Sequence, residues 1–249
     1  MSDGPLQLDH APIIEVVVDI ECDLAPDFSL QAVEPSAVDA FRARYPKKSY
    51  QFVEQVSWAV TPEGSSQEHR RTLQALRFHD EADRQLVQVR ATGFSFNRLA
   101  PYTSLDDYLP MIRLEWDIFC QVAKPVQVTG ARLRYINRIE LPSGPIEIAE
   151  YFTVGKSLPY ADLTLTRIVN QFAAIEETTG ATAKVTLADS HESPSNAVFI
   201  LDIEAERQRS IEPDDWDSIE ATLLELRGLK NRLFRGALTD SCIKLFQDP

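Results

Sequence analysis

Phe94-Ser95-Phe96-Asn97-Arg98-Leu99 is echoed further along the chain by Arg134-Tyr135-Ile136-Asn137-Arg138-Ile139. Each reads as a strand ending in Asn-Arg between bulky apolar residues, and the segment between them has the spacing of one long helix. Two such strands flanking a helix predict two related halves that share a central seam. The first spans residues 1–125 and the second residues 126–249 with the C-terminal helices, the two packed tightly, even as one structural unit.

Around the second motif, strand alternation puts Leu133, Tyr135, Asn137, Ile139 and Leu141 on one face. Arg132, Arg134, Arg138 and Glu140, with Ile136, fall on the other. Before the first motif the apolar set Val87, Val89, Ala91 changes parity to Phe94 and Phe96 with Gly93 at the change, which predicts one strand from Gln85 carrying a bulge. Further upstream, Ile13 to Ile20 is β-branched enough for a central strand, and Pro35-Ser36 opens a short helix towards Phe41 and Tyr45. Tyr50, Phe52, Val56, Trp58 and Val60 recur at period two, predicting a strand with one buried face, closed by a turn at Pro62 to Ser66. Ser104-Leu105-Asp106-Asp107 caps a helix reaching about Ala123, with Pro110 tolerable only near its start.

The second half repeats the order. Val128 to Leu141 is a strand, Pro145 to Phe152 a short helical or irregular piece, and Leu163 to Glu176 a β-rich run. Ala183 to Leu187 and Val198 to Ile203 are strands separated by a loop at His191 to Asn196. Asp214-Asp215 begins a helix carrying Trp216, Ile219, Leu223, Leu226 and Leu233, and Thr239 caps a last short one. Each half is thus strand, short helix, three strands, long helix: an α+β fold with antiparallel sheets and helices packed on one face. A single continuous antiparallel sheet is the alternative arrangement.

The chain has 249 residues and 44% hydrophobic content, enough for one large core or two half-size cores. Its net charge of −13, from 38 acids and 25 bases, sets a field that repels nucleic acid and anionic lipid alike. Cys22, Cys120 and Cys242 form no C-x-x-C pair, the N-terminus lacks the order of a signal peptide, and no segment has a membrane-spanning apolar run. The expectation is a cytoplasmic protein with no nucleic acid and no membrane partner.

His10-Ala11-Pro12-Ile13, Gly93 to Leu99 followed by Pro101-Tyr102, and Leu133 to Ile139 together resemble a sporadically distributed bacterial protein family of unknown function and similar length. A weaker likeness continues through Tyr151-Phe152, Phe234, Thr239-Asp240 and Leu245-Phe246. Just before the Leu133 strand the family is more glycine-like, whereas this chain has Arg132. The resemblance implies one intact cytoplasmic bacterial protein and supplies no catalytic residues.

Candidate ligand-binding residues are Asn97, Arg98, Arg134, Asn137 and Arg138. Asn137 points with the apolar set, and a buried amide left unpaired costs about 1–3 kcal/mol, so it either pins neighbouring backbone or orients a ligand. Arg134 and Arg138 lie about 13 Å apart along one strand at roughly 3.3 Å per residue and cannot clamp one carboxylate between them. Arg98 could join either if the motif strands are neighbours, making a fork for phosphate or carboxylate; the plainer reading pairs all three with the abundant acids.

His10, His69, His79 and His191 show no metal-ligand spacing, and Ser65-Ser66 beside Glu68-His69 reads as a turn rather than a nucleophile and base. Asp106-Asp107 and Asp214-Asp215 sit at helix starts, where capping explains them. Arg227, Lys230, Arg232 and Arg235 read as cations favoured by a helix C-terminus. No G-x-S-x-G, P-loop or dinucleotide fingerprint exists, so no metal, cofactor or catalytic residue is nominated. The function expected is non-catalytic binding or protein interaction, with an unknown protein partner or a homodimer covering the sheet. The alternative is an enzyme or sensor for a small anionic ligand at the seam.

Overall fold

A computed structural model of the chain describes residues 8–61, 64–142, 147–154, 167–190 and 197–247. In chain order the elements are β1 (Ile13–Asp23), α1 (Leu30–Phe41), β2 (Lys47–Thr61), β3 (Gly64–His79), β4 (Gln85–Arg90), β5 (Gly93–Leu99), α2 (Leu105–Ala123) and β6 (Gln127–Glu140). They continue as α3 (Ile148–Tyr151), β7 (Val169–Ile175), β8 (Thr182–Ser190), β9 (Val198–Ile211), α4 (Trp216–Ala237) and α5 (Asp240–Lys244). The chain is α+β, and its strands form one continuous nine-stranded sheet in the order β2-β3-β4-β5-β1-β6-β9-β8-β7. Every pairing is antiparallel.

β1 lies at the middle because its alternate residues suit both environments a central strand meets. Val16, Val18 and Ile20 are buried on the side that carries the helices, in one core with Leu133 and Tyr135 of β6, Phe94 and Phe96 of β5, and Trp116 and Phe119 of α2. A second cluster gathers Leu187, Leu201 and Ile203 with Phe234 of α4, Phe152 and Cys242. Among the described residues the opposite face has no helix over it, and it carries charge. Asp19, only 3% exposed, accepts from Arg132 Nε at 2.8 Å and from the Ser95 hydroxyl, while Arg90 bridges to Glu21 at 2.7 Å. Arg134 and Asp202, then Lys184 and Glu204, continue these cross-strand pairs outward.

The helices begin where side-chain oxygens meet free backbone N–H groups: Ser29, Ser104, Asp215 and Thr239 each accept from a residue in the first turn. α1 therefore starts well before Pro35, which sits inside it; Ser29 is the start signal that Pro35 obscured. In the helical layer the wholly buried Glu115 accepts from Arg44 Nε at 2.8 Å and Nη2 at 2.9 Å, and from Tyr45 Oη at 3.0 Å, tying the end of α1 to α2.

Three expectations change. The strand from Gln85 is not one bulged strand but the hairpin β4-β5, with Arg90 opposite Gly93. The parity change arises because the chain reverses, which returns Val87 opposite Phe96 and Val89 opposite Phe94 on one face. β2 has its period-two row, but Phe52, Val56 and Trp58 are exposed, Trp58 by 70%, because the β2-β3 hairpin runs past the helices that would cover them. The motif strands β5 and β6 are not neighbours; β1 lies between them. The expected turn at Pro62-Glu63, the loop His191 to Asn196 and residues 163–166 of the β-rich run lie outside the described residues.

Gly93 is required at that hairpin. Its φ is +140°, and a Cβ there would stand 2.1 Å from the Ile20 carbonyl oxygen of β1. Gly93→Ala is expected to cost on the order of 3–5 kcal/mol, read as a fall in the urea midpoint. Gly64→Ala, with a φ of +149° but open space around it, should cost only about 1–2 kcal/mol for backbone strain.

Candidate ligand pocket

A cavity of about 370 Å³ opens on the helical side of the sheet between the start of α2 and the middle of α4, floored by Tyr135 and Asn137 of β6. The segment Leu8 to Ile13 forms one wall, and Tyr102 to Asp106 another. α4 contributes Arg227, Lys230 and Phe234, which helical spacing brings to one face.

Lys230 is the unusual member. It is buried to 9% exposure and makes no hydrogen bond or ion pair with any described residue. Its ammonium rests 3.9 Å from the centre of the Tyr135 ring, a cation–π contact. The Tyr135 hydroxyl lies 2.9 Å from that of Tyr102, whose ring stacks on Tyr108 at 5.3 Å. Arg98 closes the row, its guanidinium 5.4 Å from the Tyr108 ring centre. Three tyrosines are thus strung between two cations. Burial pushes both Tyr102 and Tyr135 up, Tyr135 to about 12, so both phenols stay protonated and can donate.

Burial also pulls the Lys230 ammonium down from 10.5 to about 8, and repulsion from Arg227 adds to it. Arg227 donates to Asp106 Oδ2 at 2.6 Å, so the lining holds two cations against one carboxylate. Asn137, 1% exposed, donates to the Leu201 carbonyl at 2.9 Å and so pins the β6-β9 ladder while lining the cavity. Such a site suits an anionic ligand with an apolar body: the free charge sits low in an aromatic pocket, where water screens it poorly.

Of the five candidate ligand-binding residues named from the sequence, Asn137 alone lines this cavity; Asp106, Arg227 and Lys230, read there as capping or helix-end charges, line it too. Asn97 faces the charged side, donating to Glu15 at 2.9 Å and accepting from Gln88 at 2.9 Å. Arg134 is held by Asp202, and Arg138 by Glu140, on that same side. Arg98 lies opposite them on the helical face, level with Val16 and Tyr135 across β1. No fork of Arg98 with Arg134 or Arg138 forms. Lys230 had one signal in the sequence: α4 buries Ile219, Leu223, Leu226, Phe234 and Ala237, and residue 230 occupies the next position of that ladder. It is therefore a mid-helix core position, not a cation at the C-terminus.

Among the described residues no group of three or more His, Cys, Asp or Glu is arranged to hold a metal ion, and no helix is long and apolar enough to cross a membrane. No family model and no curated protein matches the chain. Among solved structures, an alignment with the S. pombe Pct1 RNA triphosphatase in complex with the Spt5 CTD is 12% identical, covers 96% of this chain and 84% of that one, and has a TM-score of 0.13. At that score the overlap carries no structural meaning.

A buried, unpaired ammonium should cost stability. Below about pH 8 the native and unfolded chains both carry the proton and the cost is full; between about 8 and 10.5 the unfolded chain holds a proton the native chain lacks, so stability rises with pH. Lys230→Met is accordingly expected to raise stability at pH 6.5 by roughly 1–3 kcal/mol, a gain that shrinks towards pH 10.5. Thermal melts of both proteins across that range check it, and a destabilised variant at pH 6.5 would contradict it.

Proposed function

We propose that this protein is a non-catalytic binder of a small organic anion, held in the cavity between α2 and α4 with Lys230 as its charge partner. The observation that carries the reading is an ammonium kept in an aromatic pocket with no carboxylate paired to it among the described residues. Among the described residues only the Tyr135 ring offsets that burial, and a carboxylate or phosphate ligand would add a charge-assisted hydrogen bond in a poorly screened site. Arg227, about one turn from Lys230 on α4, puts a second cation on the cavity wall. We also read the strand order as a doubled module, β1 leading into β5-β4-β3-β2 and β6 into β9-β8-β7, with the cavity where the two sets join. In that reading the Asn-Arg strands are last in one set and first in the other, so they are not counterparts.

A second reading rests on β2, whose apolar row is bare. β2 is an edge strand, and two copies paired antiparallel about Gln55 would set Phe52 against Trp58 on one face and oppose no like charges. A second copy of the chain is the occupant that fits, extending the sheet.

Titration calorimetry with acetate, succinate, benzoate and phosphate tests the first reading. At least one anion should bind at pH 7, more weakly as pH rises past 8, and Lys230→Met should lose at least about tenfold in affinity, worth 1.4 kcal/mol. Arg134→Ala, on the opposite face, should bind normally; equal binding by Lys230→Met would refute the site. For the second reading, sedimentation should show a dimer that Gln55→Lys, which sets two like charges against each other on the axis, converts to a monomer with an unchanged melting temperature.

A further inference from the structure

We infer that Lys230 forms a reversible imine with a carbonyl group of its ligand, so that the substrate class is an oxo acid: a carboxylate bearing a neighbouring ketone or aldehyde. The inference rests on the anion-binding reading above and narrows it.

Four features of the cavity support this chemistry. First, the Lys230 nitrogen has no competing partner, so its lone pair, once the proton leaves, is not already engaged. Second, it is reachable. The buried side-chain nitrogens that are both closed to solvent and without a partner, among the described residues, are the Nε atoms of Arg90 and Arg98, so Lys230 Nζ still opens on the cavity it lines. Third, proton donors stand beside it: the ammonium lies over the Tyr135 ring, and the hydroxyls of Tyr135 and Tyr102 are hydrogen-bonded to each other at 2.9 Å. Fourth, Arg227 precedes Lys230 by about one helical turn, roughly 5 Å along α4, and lines the same cavity; among the described residues only its Nη1 is engaged, by Asp106, whereas Arg132 and Arg134 are gripped through both Nε and Nη2. A carboxylate on Arg227 places an adjacent carbonyl carbon towards Lys230, which only a molecule bearing both groups close together would satisfy.

The step balances without an added oxidant or reductant. The neutral amine of Lys230 attacks the carbonyl carbon, forming the C–N bond as the C=O π bond opens, and the attacking nitrogen passes one of its protons to the oxygen to give a neutral carbinolamine. A tyrosine hydroxyl then protonates that oxygen as the C–O bond breaks, water leaves, and the nitrogen gives up a proton that restores the phenol. Imine and water are the products, and hydrolysis reverses the sequence. The amine needs no strong base, because burial already brings its deprotonation within reach of neutral pH. Arginine at this position would keep the charge but could not form the bond.

The test uses the full chain with pyruvate and 2-oxoglutarate, with and without sodium cyanoborohydride, read by intact mass and peptide mapping. One adduct per chain is expected, with the mass of the oxo acid less one oxygen atom, mapped to Lys230 and forming faster as pH is raised towards 8. Lys230→Arg should still bind the oxo acid in calorimetry and yield no adduct, which separates imine formation from charge recognition. Binding of the oxo acid without any trapped adduct would overturn the imine while leaving the anion site standing. Absence of binding in every case would remove both. Adducts spread evenly over the exposed Lys47, Lys48 and Lys124 and undiminished in Lys230→Arg would show surface reactivity only and also overturn the imine.

Discussion

The ladder between β1 and β6, from Ile13 opposite Asn137 to Asp23 opposite Gln127, is the pairing on which everything else hangs. It is the single junction between the strands that precede α2 and those that follow it. On its helical side it brings Val16, Val18 and Ile20 against Tyr135, Leu133 and Ala131, so the widest part of the sheet is also its driest. Removing several such side chains from water is worth about 1.5–3 kcal/mol each, which fixes the register: a slip of one residue would turn Asp19 and Arg132 into that core. The same register decides where Tyr135 and Asn137 stand, and hence where the cavity has its floor.

The two faces treat charge in opposite ways. On the uncovered face cations and carboxylates are matched strand by strand, Arg132 with Asp19, Arg134 with Asp202, Lys184 with Glu204. Those pairs cross the strands on a face that no helix covers among the described residues, and each arginine is already occupied. That occupancy explains why the arginines most visible in the sequence make a poor ligand site: a new anion would have to displace a carboxylate at 2.5 to 2.6 Å from each of Arg132 and Arg134. The helical face holds few charges. Glu115 and Arg44 satisfy each other, while Lys230 is left with an aromatic ring. An ion pair made within the fold is a structural feature; an unpaired cation in a cavity is an opening for something else.

What the sequence showed and what it concealed divide along physical lines. The alternation of residues 133 to 141 assigned both faces of β6, including the inward turn of Asn137, because period-two burial is a local property. Capping at Ser104, Asp215 and Thr239 was equally local and equally readable. The β4-β5 hairpin was not, because a reversal and a bulge produce the same parity change, and only the approach of Gly93 to the Ile20 carbonyl distinguishes them. The bare row on β2 misleads for a similar reason: period two states that one side is apolar, not that anything covers it. Arg98 and Arg134 are separated twice: alternation from Phe94 and Phe96 already turns Arg98 to the face opposite Arg134, and β1 lies between their strands, which no local pattern shows.

The row from Arg98 through Tyr108, Tyr102 and Tyr135 to Lys230 ends in a cation at either side, yet the two ends differ. Arg98 is a permanent charge; part of its guanidinium is sealed, with Nε lacking both solvent and a partner, so its cost is borne by the fold. Lys230 can lose its proton, faces an open cavity and stands beside hydroxyl donors. An arginine there would have carried the same charge with more hydrogen-bonding capacity. Lysine surpasses it only where the free amine is itself wanted, or where the charge must come and go near neutral pH. The aromatic stack thus holds a titratable amine, rather than a fixed cation, at the end of the row that lines the cavity.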